Sequence, residues 1–215
     1  NCQLQGGLAI ACGDAGIGKT QACRQYYREH GTNCIYITVN PCIKSSKSVL
    51  ELIGSKLNVS SGSVSRLWLE ISSKLSDGMV IIVDEAQHLT RNAIDTLRSL
   101  CDCFDEKGQT LGICFVGNET TVSRLGGKQK AEFAQIRNRT KNTRFYSVKQ
   151  IKKSDIEMLF PDIREDTAAV EFLLCIAQSP QAIRGAVNLY SNALDNGNVT
   201  AKGLSAIAKY MDMAV

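Results

Sequence analysis

One stretch of this chain constrains its fold more than any other: Gly13-Asp14-Ala15-Gly16-Ile17-Gly18-Lys19-Thr20. It matches the pattern G-x-x-x-x-G-K-[ST], in which glycines allow backbone N–H groups to surround phosphate oxygens. An apolar run at residues 7–12 precedes the motif and predicts a buried strand, and a helical pattern that ends at Gly31 follows it. A strand, a glycine loop and a helix N-terminus in this order predict a phosphate-binding site.

The last two residues of the motif have separate predicted roles. Lys19 would reach the β- and γ-phosphates of a nucleotide, and the hydroxyl of Thr20 would ligate Mg²⁺. A chance glycine-rich turn is the alternative. The flanking strand and helix argue against it, because they supply the structural context that the motif requires.

A second motif lies at residues 79–85. Its apolar run, Met79-Val80-Ile81-Ile82-Val83, is typical of a central parallel strand that is buried on both faces. The run ends in Asp84 and Glu85, at the edge where open α/β sheets bind their ligands. We expect Asp84 to hold the Mg²⁺ shell and Glu85 to orient and activate an attacking water.

A third polar position follows the apolar run at residues 111–116, which predicts another buried strand. This strand ends in Gly117-Asn118. At this edge Asn118 is expected to contact the γ-phosphate or the attacking water. A plain turn residue is the alternative interpretation.

The order of the elements predicts the fold class. Predicted strands alternate with predicted helices through Val148, which indicates an α/β fold with a parallel sheet between helical layers. The strands are expected at residues 7–12, 33–39, 79–83, 111–116 and 144–148. Helix starts are expected at a Ser48–Glu51 capping box, at Thr90, at a Ser154–Glu157 capping box and at Ser179-Pro180. We therefore expect a P-loop α/β subdomain at residues 1–150 and an all-helical lid subdomain at residues 151–215.

Composition excludes several classes of protein. The chain is 44% hydrophobic and 21% charged, and no apolar run approaches the roughly 18 residues of a membrane span, so we expect no membrane partner. The nine scattered cysteines form no C-x-x-C pair, which favours reduced thiols. The chain has no initiator Met and no signal peptide, and we expect it to be a fragment that lacks an N-terminal part.

Positive charge is concentrated in one segment. Residues 128–153 carry nine basic side chains and a single acid, Glu132, whereas the net charge of the whole chain is only +4. This asymmetry favours contact with a polyanion such as nucleic acid or a nucleotide. A solvated basic surface is the alternative.

Together these motifs resemble the AAA+ ATPase family over essentially the whole chain. Residues 13–20 resemble its Walker A motif, residues 79–85 its Walker B motif and Asn118 its sensor 1. Arg184 stands where family members often carry the sensor 2 arginine. The resemblance implies ATP and Mg²⁺ as cofactors, ATP hydrolysis, and a five-stranded parallel sheet of order 5-1-4-3-2.

Several longer words resemble the phage Mu transposition protein B group and the related ATPases of Tn7-like elements. These words are residues 13–20, Asp84-Glu85-Ala86-Gln87-His88-Leu89, Gly117-Asn118-Glu119-Thr120 and Phe133-Ala134-Gln135-Ile136. The resemblance implies an ATP-dependent protein that binds double-stranded DNA with little sequence preference and self-associates on it into a helical oligomer. Such a protein delivers target DNA to a transposase in the cytoplasm of a bacterium or a phage-infected host.

The same resemblance implies two further sets of residues. A neighbouring subunit would supply an arginine finger, for which Arg139 fits best and Arg137 second. DNA would pass elements that follow the second strand, which indicates Lys44, Ser45, Ser46 and Lys47. The basic segment at residues 128–153 is the competing DNA surface.

Two other functions fit parts of the pattern. One is a relative of replication initiators or clamp loaders, which is also an AAA+ ATPase. The other is a P-loop scaffold that switches with nucleotide and does not bind DNA. Glu85 and the basic segment argue against the scaffold, because a scaffold needs neither a catalytic base nor a polyanion surface.

Overall fold

The strands of this protein form one five-stranded sheet. We describe it from a computed structural model, which describes residues 2–121 and 140–213. The strands are β1 (Gly7–Gly13), β2 (Cys34–Thr38), β3 (Met79–Asp84), β4 (Leu111–Gly117) and β5 (Thr140–Tyr146). Their order is β2-β3-β4-β1-β5, which confirms the predicted order. The β2–β3, β3–β4 and β1–β4 pairings are all parallel.

Helices cover both faces of this sheet. The helices here are α1 (Cys2–Gln5), α2 (Lys19–Glu29), α3 (Ser46–Lys56), α4 (Val64–Lys74) and α5 (Arg91–Asp105). Every residue of β3 is buried, as a strand with two covered faces requires. Ile81 and Val83 pack with the core beneath α3, α4 and α5, whereas Val80 and Ile82 pack with residues of α1 and α2. The sheet therefore holds the carboxyl end of β3 between two helical layers.

Helix α5 begins where the sequence predicts. Thr90 is its N-cap, and the Thr90 hydroxyl accepts a hydrogen bond of 3.3 Å from the backbone N–H of Ala93. An N-cap of this kind satisfies one of the free N–H groups of the first turn. The buried face of α5 consists of Ala93, Ile94, Leu97, Leu100, Cys101 and Phe104.

Three predicted helix starts are wrong by two or three residues. Helix α3 is capped by Ser45, and the Ser45 N–H donates a hydrogen bond of 3.0 Å to the hydroxyl of Ser48. The sequence predicts Ser48 as the cap, because Ser48 and Glu51 match the usual capping-box pattern. Helix α6 (Lys153–Leu159) starts after Lys152, whose N–H donates to Asp155 at 2.8 Å. Helix α8 (Ala182–Asp195) starts after Gln181.

The last strand is also displaced from its predicted position. It was expected at residues 144–148, but β5 ends at Tyr146. Ser147 and Val148 leave the strand because the Ser147 hydroxyl and the Val148 N–H both donate to the carboxylate of Asp14. A tertiary contact therefore ends this strand.

The described residues divide into two compact units. One holds residues 13–18 and 146–213, and the other holds the rest of the described chain. The helices of the first-named unit are α6, α7 (Thr167–Gln178), α8 and α9 (Ala201–Tyr210). Val170, Leu173, Leu189 and Leu204 form the centre of its apolar core, and each is fully buried. No helix within residues 2–121 and 140–213 has both the length and the apolar character needed to cross a bilayer.

Candidate nucleotide site

The glycine loop between β1 and α2 is held by its own unit. The backbone approaches so closely at Gly13 that an added Cβ atom would overlap the carbonyl oxygen of Tyr146. The Asp14 N–H donates to that oxygen at 3.0 Å. The Asp14 carboxylate accepts from the Ser147 hydroxyl at 3.0 Å and from the Val148 N–H at 2.8 Å. Asp14, a variable position of the motif, therefore anchors the loop.

The tip of the loop contacts the start of α8. Gly16 and Gly18 both have positive φ, of 77° and 100°, a conformation that side chains other than glycine rarely adopt. The Gly16 carbonyl accepts a bond of 3.0 Å from the N–H of Arg184. Ile17 packs against the apolar core of the helices, and Ala15 is exposed. The backbone of Arg184 is thus placed beside the loop, and its predicted role as sensor 2 stays a prediction.

Lys19 and Thr20 form the first turn of α2, in the other unit. This turn contains no acidic side chain, so no carboxylate of its own compensates the positive end of the helix dipole. Burial and the negative charge of Asp84 raise the pKa of the Cys23 thiol, the positive charge of Lys19 lowers it, and the net result is a pKa of about 12. The charges of both motifs therefore influence one thiol on α2.

Asp84 is the last residue of β3 and is only 1% exposed. Its two carboxylate oxygens accept bonds from the Tyr36 phenol at 2.9 Å and from the Glu85 N–H at 3.0 Å. The phenol accepts in turn from the Thr38 hydroxyl at 3.1 Å. Burial raises the pKa of Tyr36, and the hydrogen bond to Asp84 raises it further, so the phenol keeps the proton that it donates.

Sequence reasoning missed Tyr36. The strand order could have indicated this contact, because β2 lies beside β3 and pairs Thr38 with Asp84. A polar side chain near the end of β2 therefore reaches the end of β3. The motif pattern alone does not contain this neighbour.

Glu85 turns the chain out of the sheet. Its φ of 59° and ψ of 33° lie in the left-handed region, which is uncommon for residues other than glycine, and a short 3₁₀ helix, Ala86–His88, follows. The side-chain amide of Gln87 donates to the Glu85 carboxylate. The amide oxygen of Gln87 accepts from the Asn118 N–H and from the Thr121 hydroxyl, both at 3.4 Å. The structure therefore brings Glu85 and Asn118 to one place through a residue that sequence reasoning did not single out.

The side chain of Asn118 is used locally. Its amide oxygen accepts from the N–H and the hydroxyl of Thr120, at 3.1 Å and 2.6 Å. This arrangement caps the turn after β4. The residue lies at the predicted edge of the sheet, and its contact with a phosphate or water stays a prediction.

The donor set of this edge suits magnesium. Mg²⁺ prefers oxygen ligands, keeps several waters and takes one or two carboxylates together with phosphate oxygens. The Thr20 hydroxyl and the buried Asp84 carboxylate offer oxygen ligands of this kind. Both oxygens of Asp84 accept hydrogen bonds, which orient the carboxylate. The residues present therefore fit a Mg²⁺ ion bound with a nucleotide.

The predicted DNA residues lie at the N-terminus of α3. Lys44, Ser45 and Lys47 are exposed, and Lys47 forms an i,i+4 ion pair of 3.9 Å with Glu51. The carbonyl of Lys44 accepts a 3.0 Å bond from the Thr90 N–H. Ser46 is partly buried, and its hydroxyl accepts a 3.0 Å bond from Thr96.

These two bonds hold the start of α3 against the first turns of α5. Two helix N-termini, each with its partial positive charge, therefore lie side by side at this surface. Arg137 and Arg139, the predicted arginine fingers, lie outside the described residues. The same is true of residues 128–139 of the basic segment and of the word Phe133-Ala134-Gln135-Ile136.

The chain is similar to two curated proteins, one from a phage and one from a Mu-like prophage. It is 30% identical over 204 residues to the ATP-dependent target DNA activator B of Escherichia phage Mu, and the aligned region covers 91% of this chain and 61% of that protein. It is 29% identical over 199 residues to the Mu-like prophage FluMu DNA transposition protein B of Haemophilus influenzae, and that alignment covers 88% of this chain and 66% of that protein. The chain thus spans about two thirds or less of the length of these relatives.

The fold is similar to that of Cdc6p from Pyrobaculum aerophilum, with a TM-score of 0.64 at 17% sequence identity. The match covers 90% of this chain and 57% of that one. A family model described as AAA domain matches residues 3–125, which include both nucleotide motifs and Asn118. The sheet order, the glycine loop and this match agree with the resemblance seen in the sequence, and the chain belongs to the AAA domain family.

Proposed function

We propose that this protein is an ATP-dependent DNA-binding ATPase that oligomerises on double-stranded DNA and delivers it as a target to a transposase. The observation that carries the proposal is the likeness to the target DNA activator of phage Mu, which extends over 91% of this chain. The match to the AAA domain family covers residues 3–125 and so includes both nucleotide motifs, which are the residues that would bind and hydrolyse ATP. The cytoplasm is the compartment in which such a protein would meet its DNA.

The chain's own residues divide the work of ATP hydrolysis. Lys19 binds the β- and γ-phosphates, while Thr20 and Asp84 hold Mg²⁺. When bound, Mg²⁺ neutralises phosphate charge and so favours attack on the γ-phosphoryl group. Glu85 accepts the proton of the attacking water, and Asn118 orients that water or the γ-phosphate.

Three further arginines are assigned to this reaction. Arg184, whose backbone bonds the loop at Gly16, serves as sensor 2. Arg139, with Arg137 as the second choice, reaches the γ-phosphate of a neighbouring subunit and stabilises the charge that develops there. Hydrolysis would then depend on assembly, because one subunit completes the site of the next.

DNA binding is assigned to the surface formed by Lys44, Ser45, Ser46 and Lys47. Two exposed lysines beside two adjoining helix N-termini suit the phosphate backbone of a duplex. Phosphate contacts carry no sequence information, so binding at this surface would be largely independent of sequence. A protein that selects transposition targets requires this property.

Negative-stain imaging tests the proposal directly. The protein is mixed with random-sequence duplex DNA and a non-hydrolysable ATP analogue, with ADP as the control, and ATP hydrolysis is measured on the same preparation. We expect helical oligomers on DNA with the ATP analogue and separate particles with ADP. A chain that binds ATP but neither hydrolyses it nor associates with DNA would contradict the proposal and favour the nucleotide-switched scaffold.

A further inference from the structure

The side chain of Gln87 joins two parts of the candidate site. One end of its amide donates to the carboxylate of Glu85, and the other accepts from the N–H of Asn118 and the hydroxyl of Thr121. The orientation of the amide follows from its partners. A carboxylate only accepts, whereas a backbone N–H only donates, so the NH₂ group must face Glu85 and the oxygen must face the end of β4.

The surroundings of Gln87 preserve this arrangement. Thr121 is fully buried, and its hydroxyl donates to the same amide oxygen. The position opposite is Gly117, where an added Cβ atom would overlap both the Gln87 amide oxygen and the Thr121 hydroxyl. The end of β4 therefore leaves space for the Gln87 side chain and supplies two donors to it.

Glu85 itself stands in an uncommon backbone conformation at the end of β3. Its carboxylate extends from a left-handed residue, so its direction depends on what the side chain contacts. A donor on one carboxylate oxygen restricts the rotation of the group and so favours one direction for the other oxygen. The partner that supplies this donor is attached at its other end to Asn118.

We infer that Gln87 is a positioning residue for ATP hydrolysis, which orients the Glu85 carboxylate and couples it to the position of Asn118 at the end of β4. The inference rests on the proposed ATPase function. In this arrangement a displacement of the Asn118 backbone moves the Gln87 amide, because the amide oxygen accepts from the Asn118 N–H. The NH₂ group of the same amide then moves the Glu85 carboxylate, so Glu85 and Asn118 respond together.

Gln87→Glu is the sharpest test, because it keeps the size of the side chain and replaces the donor with a second carboxylate. At pH 8 the two ionised groups repel, and we expect kcat for ATP to fall about tenfold or more while KM changes less than about twofold. Gln87→Ala is expected to lower kcat about fivefold.

The assay uses the full chain with duplex DNA and measures steady-state hydrolysis at pH 8, with ATP affinity measured separately from a fluorescent analogue. Gln109→Glu is the matched control, because it makes the same charge change at an exposed residue before β4. Thermal melting of each variant shows whether it is folded.

The outcomes separate the inference from the function on which it rests. A loss in Gln87→Glu that lowers kcat and leaves KM nearly unchanged supports the inference. If wild type hydrolyses ATP and both Gln87 variants match Gln109→Glu, the inference is overturned and the ATPase function stands. A rise in KM as large as the fall in kcat also overturns it, because that result indicates a general disturbance of the site and not a positioning role. A wild-type chain that binds ATP without hydrolysing it would overturn both.

Discussion

Two polar regions of the same unit differ in how their side chains are held. At the end of β3, Asp84 is 1% exposed and both of its carboxylate oxygens accept hydrogen bonds. At the start of α3, Lys44 and Lys47 are exposed, and the ion pair of Lys47 with Glu51 is 3.9 Å long. The first region is organised before any ligand binds, whereas the second is a set of solvated charges on a fixed backbone.

The difference corresponds to the two kinds of work proposed for them. Hydrolysis requires groups held to within a fraction of an ångström, because misplacement of a catalytic group is costly. Binding of a phosphate backbone requires only positive charge at the right distance, and this attraction is screened by salt. Catalysis should therefore depend on individual side chains, and DNA affinity on the summed charge and the salt concentration.

The largest expected effect is that of Glu85→Gln at the end of β3. The amide has the size of the carboxylate but cannot accept the proton of the attacking water, so we expect turnover of ATP to fall by about 10²–10³-fold. ATP affinity and DNA affinity should stay within about threefold of wild type. Steady-state hydrolysis and binding of a fluorescent ATP analogue measure the two effects separately.

The matched control for this change is Glu171→Gln, on the exposed side of α7. It should leave turnover unaltered. Normal hydrolysis in Glu85→Gln would show that Glu85 is not the base and that the end of β3 is not organised for catalysis.

A second change tests how closely the same region is packed. In Gly117→Ala the new methyl group would overlap the Gln87 amide oxygen and the Thr121 hydroxyl, so we expect a loss of about 1–3 kcal/mol in the free energy of unfolding. Urea denaturation followed by circular dichroism measures it. In the control, Gly62→Ala, the three atoms nearest the new methyl group all belong to the flexible side chain of Arg66. Equal stability of both variants would show that the end of β4 is loosely packed.

The organised region could be located from the sequence because its residue types are adjacent in the chain. The pattern of glycines with Lys19 and Thr20, and the apolar run before Asp84, predicted the strands and the order of the motifs. The family resemblance supplied the sheet order, which β2-β3-β4-β1-β5 confirms. The sequence predicted which strands and helices exist, because an element with a buried face carries apolar residues at a regular period.

The neighbours of these residues could not be predicted in the same way. Tyr36 reaches Asp84 only because β2 pairs with β3, and Gln87 reaches Asn118 only because β4 lies next to β3. The predicted helix start at Ser48 was wrong for a related reason. Serines at 45, 46 and 48 are equivalent caps locally, and the choice among them is made by the contact of Lys44 with α5.

A moderate effect is expected when charge is removed from the start of α3. Lys44→Ala combined with Lys47→Ala should weaken binding to random duplex DNA about tenfold near 100 mM salt. The plot of log affinity against log salt should become shallower by about 2, because two phosphate contacts are lost. ATP hydrolysis without DNA should not change. Fluorescence anisotropy over a salt series measures both quantities.

The control removes the same charge elsewhere, in Lys202→Ala combined with Lys209→Ala on α9, where both lysines are exposed. This pair should leave the salt dependence unaltered. An equal loss in both pairs would show that only net charge matters. No loss in the α3 pair would assign DNA binding to another surface, for which the basic segment at residues 128–153 is the candidate.

The smallest expected effect separates the two roles of Ser45, which caps α3 and was predicted to contact DNA. Ser45→Ala removes the cap and should lower the free energy of unfolding by about 1 kcal/mol. Ser45→Asp keeps a good cap, so stability should be close to wild type, but it adds negative charge between Lys44 and Lys47. DNA affinity should therefore fall about threefold in Ser45→Asp and less in Ser45→Ala, as measured by anisotropy beside urea denaturation. If affinity instead follows stability across the two variants, Ser45 acts only as a cap, and the start of α3 is not a surface on which local charge controls DNA binding.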